Sequence, residues 1–151
     1  MEKVSNIKKY LFISVKPEFA NKIIAKEKCI ELRKIKPHVK AGDYIIIYAS
    51  SPIKCVVGFG KIKQIIETTP AEMWSNYSEY LGIDELRFLN YYNRRNRAIG
   101  IEIETIKSVT PINLINLKKI DANFHPPQVY RYITNEQICE TITKFLSVKQ
   151  L

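Results

Sequence analysis

The sequence predicts a single α+β domain, built on a small and strongly bent mixed sheet of five to six strands with flanking helices. Its length of 151 residues suits one domain. Residues 44–49 form a strand-like apolar run, and residues 98–106 alternate apolar with polar side chains, as a half-exposed strand does. Gly58 and Gly60 occupy alternate positions inside a further strand-like stretch. Glycine there indicates a bulge or a tight corner, so we expect the sheet to curve into a barrel around these two positions.

In the first half of the chain, residues 1–9 are polar and are predicted to form a flexible lead to one domain over residues 10–151. Pro17 fits the first turn of a helix, which is predicted to run to about Glu27. In the strand that follows, Ile30 and Leu32 alternate with charged residues, so the aliphatic side chains are expected to face a core and the charges the opposite side. The predicted strands of this half are residues 10–15, 28–33, 44–49 and 54–66, with a turn at 50–52.

In the second half, Thr69, Pro70 and Glu72 have the order of a capping box with a first-turn proline. This motif predicts a helix over about 70–81, which Gly82 ends. A second capping box at Thr134 predicts a final helix over about 135–147. Between these helices we predict a helical segment at 84–92, strands at 98–106 and 112–115, and a loop at 121–127.

The charge balance favours a polyanionic partner. Twenty-four Lys and Arg against 15 Asp and Glu give a net charge of +9 and a sequence pI near 9.4. Such a balance favours nucleic acid as the partner.

The three cysteines lack metal-type spacing and the first residues lack an apolar signal region. We therefore predict a cytoplasmic protein that binds no membrane, has no metal site and needs no cofactor; its oligomeric state is left open.

A series of short motifs resembles the ASCH family. The motifs are Val15-Lys-Pro-Glu, Lys28-x-x-Glu31-x-Arg33, Gly42-Asp43 with Ile-Tyr-Ala-Ser50, Val57-Gly58, and Pro126-Pro127-Gln128-x-Tyr130-Arg131-Tyr132. The resemblance covers about residues 10–133 and implies a PUA-like barrel. One position departs from it, because the family usually has glycine where this chain has Lys26. A residue with a Cβ adopts positive φ less readily, so we expect the turn before the motif lysine to differ in shape.

Lys28, Glu31 and Arg33 are the first candidate ligand contacts. Taken alone, charges on a strand usually form a solvated face with weak ion pairs. The resemblance implies instead that these three line a cleft beside the barrel. There Arg33 offers a fork for a phosphate or a base edge, Lys28 a point charge, and Glu31 an acceptor that orients both cations.

The second set of candidates follows the two prolines. Gln128 presents an amide for a nucleobase, and Tyr130 offers a ring for an unpaired base beside Arg131. The alternative is that strand alternation turns the tyrosines into the core.

Two further sets complete the candidates. Arg94, Arg95 and Arg97 form a basic run after two tyrosines and are predicted to extend a nucleic-acid groove; an ordinary exposed loop is the alternative. Ser50 and Ser51 close a turn where their hydroxyls can meet a phosphate.

Three classes of function follow. The first prediction is a binding module for RNA or a modified nucleoside. The alternative is a small hydrolase, a ribonuclease or an N4-acylcytidine amidohydrolase, with Lys28 and Glu31 as catalytic residues. The resemblance implies a lysine, threonine and glutamate set for the amidohydrolases, and Glu31 stands here at the threonine position, which weighs against that activity. The third class is a protein-interaction module linked to transcription, which the charge of +9 makes less attractive.

Overall fold

A computed structural model describes residues 9–120, 122, 125–126 and 130–132. The strands are β1 (Tyr10–Val15), β2 (Ile30–Arg33), β3 (Tyr44–Ala49), β4 (Cys55–Thr68), β5 (Ala98–Asn113) and β6 (Tyr130–Tyr132). The helices are α1 (Pro17–Ile24), α2 (Pro70–Tyr77), α3 (Glu85–Tyr91) and α4 (Leu114–Ile120), and one 3-10 turn covers Ser78–Tyr80.

The strands form one mixed, curled sheet in the order β2-β5-β4-β3-β1-β6. β1 and β3 are parallel, whereas the other neighbouring strands run antiparallel. Among the described residues the sheet stays open, with β2 and β6 as its two edges. The predicted α+β class and bent mixed sheet are confirmed, as an open half-barrel.

The sheet curves near Gly58 and Gly60 of β4. The pairing of β4 with β5 shifts register between Val56 and Gly58 and again on both sides of Ile62. A Cβ at Gly60 would lie 2.5 Å from the backbone oxygen of Thr105, so the strands approach too closely for a side chain there. The long hairpin of β4 and β5 therefore bends sharply enough to wrap around a core.

Three apolar clusters fill the part of the molecule that the structure describes. Inside the barrel lie residues of β1, β3, β4 and β5, which α1 covers with Ala20 and Ile23. A second cluster, on the outer face of the sheet, contains Phe12, Ile46 and Leu117. The third packs Ile30 and Leu32 of β2 against α2 and α3. The aliphatic residues of β2 thus face the helices, which accounts for the direction of its charged side chains.

The expectation about Lys26 is wrong. Lys26 takes up the positive φ, at 65°, that glycine would supply. The backbone nitrogens of Glu27 and Lys28 both bond the oxygen of Lys22, at 2.9 and 3.1 Å, which stabilises this helix end. The helix consequently ends at Ile24 and not near Glu27.

The prediction of a separate strand at 112–115 is also wrong. β5 continues without interruption to Asn113, and Leu114 already begins α4. The side chain of Asn113 accepts a hydrogen bond from the backbone nitrogen of Asn116 at 2.8 Å, so it caps the helix. The lead at residues 1–8, most of the loop at 121–127 and the final helix at 135–147 lie outside the described residues. Within the described part, no helix is long and apolar enough to cross a membrane.

Candidate ligand-binding cleft

A cleft of about 660 Å³ lies between β1 and β2, which are not neighbours in the sheet. Side chains of α1 and α3 form its other walls. Its size falls within the range of about 300–1,000 Å³ that is typical of small-molecule sites. It is lined by Ser14, Val15, Lys16, Phe19, Lys28, Glu31, Leu32, Arg33, Ser50, Ile83, Arg87, Asn90 and Tyr91.

Lys28 lies on the floor of the cleft and is only 3% exposed. Its Nζ donates to the backbone oxygen of Leu81 at 2.6 Å and lies 3.6 Å from Oε1 of Glu31. The Phe19 ring centroid is 5.3 Å from the same Nζ. Burial lowers the pKa of the Lys28 ammonium, and the charge of Glu31 opposes that shift.

Glu31 connects Lys28 to Arg33. Its Oε2 accepts from Nε and Nη2 of Arg33 at 3.1 and 2.8 Å. Nη2 of Arg33 also donates to the backbone oxygen of Ser14 at 2.8 Å, so the guanidinium bridges β2 and β1 across the cleft. The three side chains are between 3% and 12% exposed, so the alternative of a solvated surface ion pair is wrong.

Arg87 of α3 lies at the mouth of the cleft. Its guanidinium donates to both carboxylate oxygens of Glu18, at 3.1 and 2.7 Å, and to Oδ2 of Asp84 at 3.1 Å. The same group lies over the Phe19 ring, 5.3 Å from its centroid. The hydrogen bond with Glu18 is the main cause that raises the pKa of Arg87 and lowers that of Glu18. These contacts join α1 to α3 above the buried lysine.

Tyr91 connects the cleft to the basic run after α3. Its hydroxyl donates to the backbone oxygen of Leu32 at 3.3 Å, and Lys34 Nζ lies 4.6 Å from its ring centroid. Burial raises the pKa of the Tyr91 phenol, while the charges of Arg33 and Arg95 oppose that shift. The basic run begins three residues after Tyr91, so it leaves α3 beside the cleft wall. Arg94, Arg95 and Arg97 are all exposed.

Some predicted residues lie elsewhere. Ser50 lines the cleft, whereas Ser51 is exposed in the adjoining turn and is not among the lining residues. Tyr130 packs against the barrel-interior cluster, 6.0 Å from the ring of Tyr132. This placement agrees with the alternative in which the tyrosines complete the core. Arg131 pairs with Phe12 in the sheet, and Gln128 lies outside the described residues.

Most lining residues of the cleft were not predicted from the sequence, among them Phe19 and Arg87. The sequence does contain a signal for Arg87, which is its position three residues after a helix-capping aspartate. The Asp84 side chain caps α3 by accepting from the Arg87 backbone nitrogen at 2.9 Å. Phe19 had no signal beyond its place on an amphipathic helix. In the described part of the chain, no three His, Cys, Asp or Glu side chains are grouped so as to hold a metal.

A family model described as "Domain of unknown function (DUF365)" matches residues 9–129. An ASCH domain-containing ribonuclease of Zymomonas mobilis is 32% identical over 130 residues, which cover 86% of this chain and 88% of that protein. This chain belongs to the DUF365 family and is an ASCH domain.

Solved structures agree with this membership. The crystal structure of ASCH from Zymomonas mobilis matches the ASCH domain described above with a TM-score of 0.83 and 30% identity, over 89% of this chain and 94% of that one. A hypothetical protein from Leishmania major matches with a TM-score of 0.58 over 97% and 99% of the two chains. It is only 14% identical, so it shows a shared fold and nothing more.

Proposed function

We propose that this ASCH domain binds RNA by holding one unpaired nucleotide, or a free modified nucleoside, in the cleft between β1 and β2. The observation that carries the proposal is a nucleotide-sized cavity of about 660 Å³ whose walls include Lys16, Lys28, Arg33 and Arg87. Among the described residues that line it Glu31 is the one acidic side chain, while Glu18 and Asp84 pair with Arg87 at the mouth. An anionic ligand of this size is the chemistry that such a surface favours.

The side chains divide the recognition between phosphate and base. Lys28 and Arg33 supply charge-assisted donors, and Glu31 fixes the orientation of both. Phe19 and Tyr91 supply aromatic rings from the α1 and α3 sides, where an unpaired base can stack. The ribonuclease name of the Zymomonas mobilis relative supports RNA as the ligand class.

Binding is tested first by replacing Lys28. We expect Lys28→Ala to weaken the binding of a nucleoside monophosphate and of single-stranded RNA by about 1 to 3 kcal/mol, roughly fivefold to 150-fold. Glu31→Gln should have a milder effect because the amide keeps an acceptor. Titration calorimetry and fluorescence anisotropy measure both. The matched control is Lys63→Ala, which removes an exposed lysine that lies 3.6 Å from Glu102. Equal affinity of the Lys28→Ala and Lys63→Ala proteins for the monophosphate would contradict the cleft as its site.

RNA cleavage at the same cleft is a second candidate, which the name of the relative and the buried position of Lys28 favour. A lysine whose pKa is lowered is suited to proton transfer near neutral pH. If the domain cleaves RNA, Lys28→Ala and Glu31→Gln should leave RNA binding largely intact and each lower turnover by roughly 10²-fold or more. Gel analysis of a labelled RNA incubated with each protein separates the two functions. We expect no turnover of N4-acylated cytidine, because Glu31 replaces the hydroxyl residue of the related amidohydrolases.

A further inference from the structure

Three aromatic rings lie against each other at the end of the sheet where β1 and β3 begin. Tyr10 and Tyr44 stack with ring centroids 5.1 Å apart, and Tyr44 and Phe59 stack at 5.3 Å. Tyr10 and Phe59 are 6.3 Å apart, so the rings form one compact group. All three are half-buried. We call these residues the outer platform.

The outer platform is on the opposite side of the sheet from the barrel interior. Tyr10 and Phe59 pack against the cluster that contains Phe12 and Ile46, and none of the three rings belongs to the interior cluster. Nor do the three residues line the cleft that holds Lys28. The platform is therefore separate from the proposed nucleotide site.

Two lysines border the platform on the same face. Tyr44 is paired directly with Lys61 in β4, and Phe59 is paired directly with Lys107 in β5. Side chains directly opposite each other on neighbouring strands share a face of the sheet. Lys61 and Lys107 are both exposed, and neither forms an ion pair within the described part of the chain. Their charges are thus available to neutralise an anion that lies across the rings.

We propose that the outer platform is a second binding site, for single-stranded RNA, at which one or two unpaired bases extend the stack of Tyr10, Tyr44 and Phe59. Lys61 and Lys107 neutralise the adjoining phosphates. Aromatic stacking combined with flanking cations is how sheet surfaces bind single strands with little sequence preference. The platform binds bases whether or not the cleft does, so the inference stands independently of the function proposed above.

The test uses the full chain and an unstructured, fluorescently labelled RNA of about ten nucleotides, within the usual site sizes of single-strand binders. Tyr44→Leu and Phe59→Leu keep apolar packing but remove the aromatic face. We expect each to lower the affinity for this RNA by about fivefold or more. Affinity for a nucleoside monophosphate, which reports on the cleft, should not change. A duplex of the same length should bind the wild type more weakly than the single strand does.

The lysines are tested as a pair. Lys61→Ala with Lys107→Ala should reduce the slope of log K against log salt by about 1.4 for the single strand. The matched control, Lys36→Ala with Lys63→Ala, removes two exposed lysines that are already paired with Glu67 and Glu102. The proposal is overturned if folded Tyr44→Leu and Phe59→Leu proteins bind the single strand like the wild type, or if duplex and single strand bind equally well. It is also overturned if the two lysine pairs change the slope equally.

Discussion

Burying Lys28 lowers the stability of the fold, because its ammonium is nearly excluded from water. The Leu81 oxygen and the Glu31 carboxylate compensate only part of the lost hydration, and the net effect of burial lowers the pKa of the ammonium. A side chain that costs stability yet lies on the floor of a cleft is typical of functional sites.

Lys28→Met should not destabilise the domain. Arg33 lies 2.8 Å from Glu31, so the carboxylate keeps a cation when Lys28 is replaced. Replacing a buried charge with an apolar side chain of similar length is often neutral or stabilising, and we expect a gain of zero to about 1 kcal/mol at neutral pH. The measurement is the free energy of unfolding in denaturant. Affinity for RNA should fall in the same protein.

The buried Lys28 gives the stability of the domain a pH dependence of definite sign. A lysine whose pKa is lowered in the folded state binds fewer protons there than in the unfolded chain, so the stability of the wild type rises with pH through that interval. The advantage of Lys28→Met should therefore shrink as the pH approaches the ordinary lysine value of 10.5. A difference between the two proteins that stays constant over this range would show that Lys28 is not perturbed.

The pairing of Glu31 with Arg33 was predictable from the sequence, since residues two apart on a strand share a face. Their burial was not, because it depends on how α1 and α3 pack beside β2, where Phe19, Arg87 and Tyr91 line the same cleft. Alternation along one strand says which way a side chain points. It does not say whether another element covers it.

At the scale of elements, the turn after α1 places Lys28 in the cleft. Lys26 adopts a left-handed backbone conformation that costs a residue with a Cβ about 1–2 kcal/mol, and Lys28 follows two positions later. Gly82 approaches from the other side, where a Cβ would lie 2.7 Å from the Cβ of Lys28. The two turns therefore fix the lysine between them.

We predict that Lys26→Gly stabilises the domain by about 1 kcal/mol, because glycine relieves the left-handed strain at a smaller entropic cost. Chemical denaturation measures the change. The matched control is Lys36→Gly, at another exposed lysine that does not have positive φ, and it should be neutral or destabilising. Equal destabilisation of both variants would mean that the conformation of Lys26 carries no strain.

Elements with their own local signals were predicted well. β3 has the predicted bounds, and Thr69 caps α2 by accepting from the backbone nitrogen of Glu72 at 3.1 Å. The strand at 98–106 was predicted too short, because its continuation to Asn113 depends on pairing with the first residues of β4. Such pairing is a tertiary effect that alternation within one segment does not reveal.

The whole molecule carries a net charge of +9. The distribution of the charged side chains decides where an anionic partner is attracted. Arg87, Lys28 and Arg33 belong to one cleft, and Tyr91, which lines the same cleft, ends α3 just before the loop with the three arginines. We therefore expect a positive groove that runs from the cleft to the loop of Arg94, Arg95 and Arg97. A bound single strand would leave the cleft along this loop.

The groove predicts a particular dependence on salt. On a single strand, log K falls by about 0.7 per unit of log salt for each phosphate neutralised, so replacing all three loop arginines with alanine should reduce the slope by about 2. Fluorescence anisotropy over a series of salt concentrations measures it. The matched control replaces Lys63, Lys118 and Lys119, which are also exposed, and removes the same total charge. If the groove carries the RNA, the arginine variant loses far more slope than the lysine variant, because only its charges lie beside the backbone. Equal slopes would mean that the excess charge acts from the whole surface and that the loop is not part of the binding path.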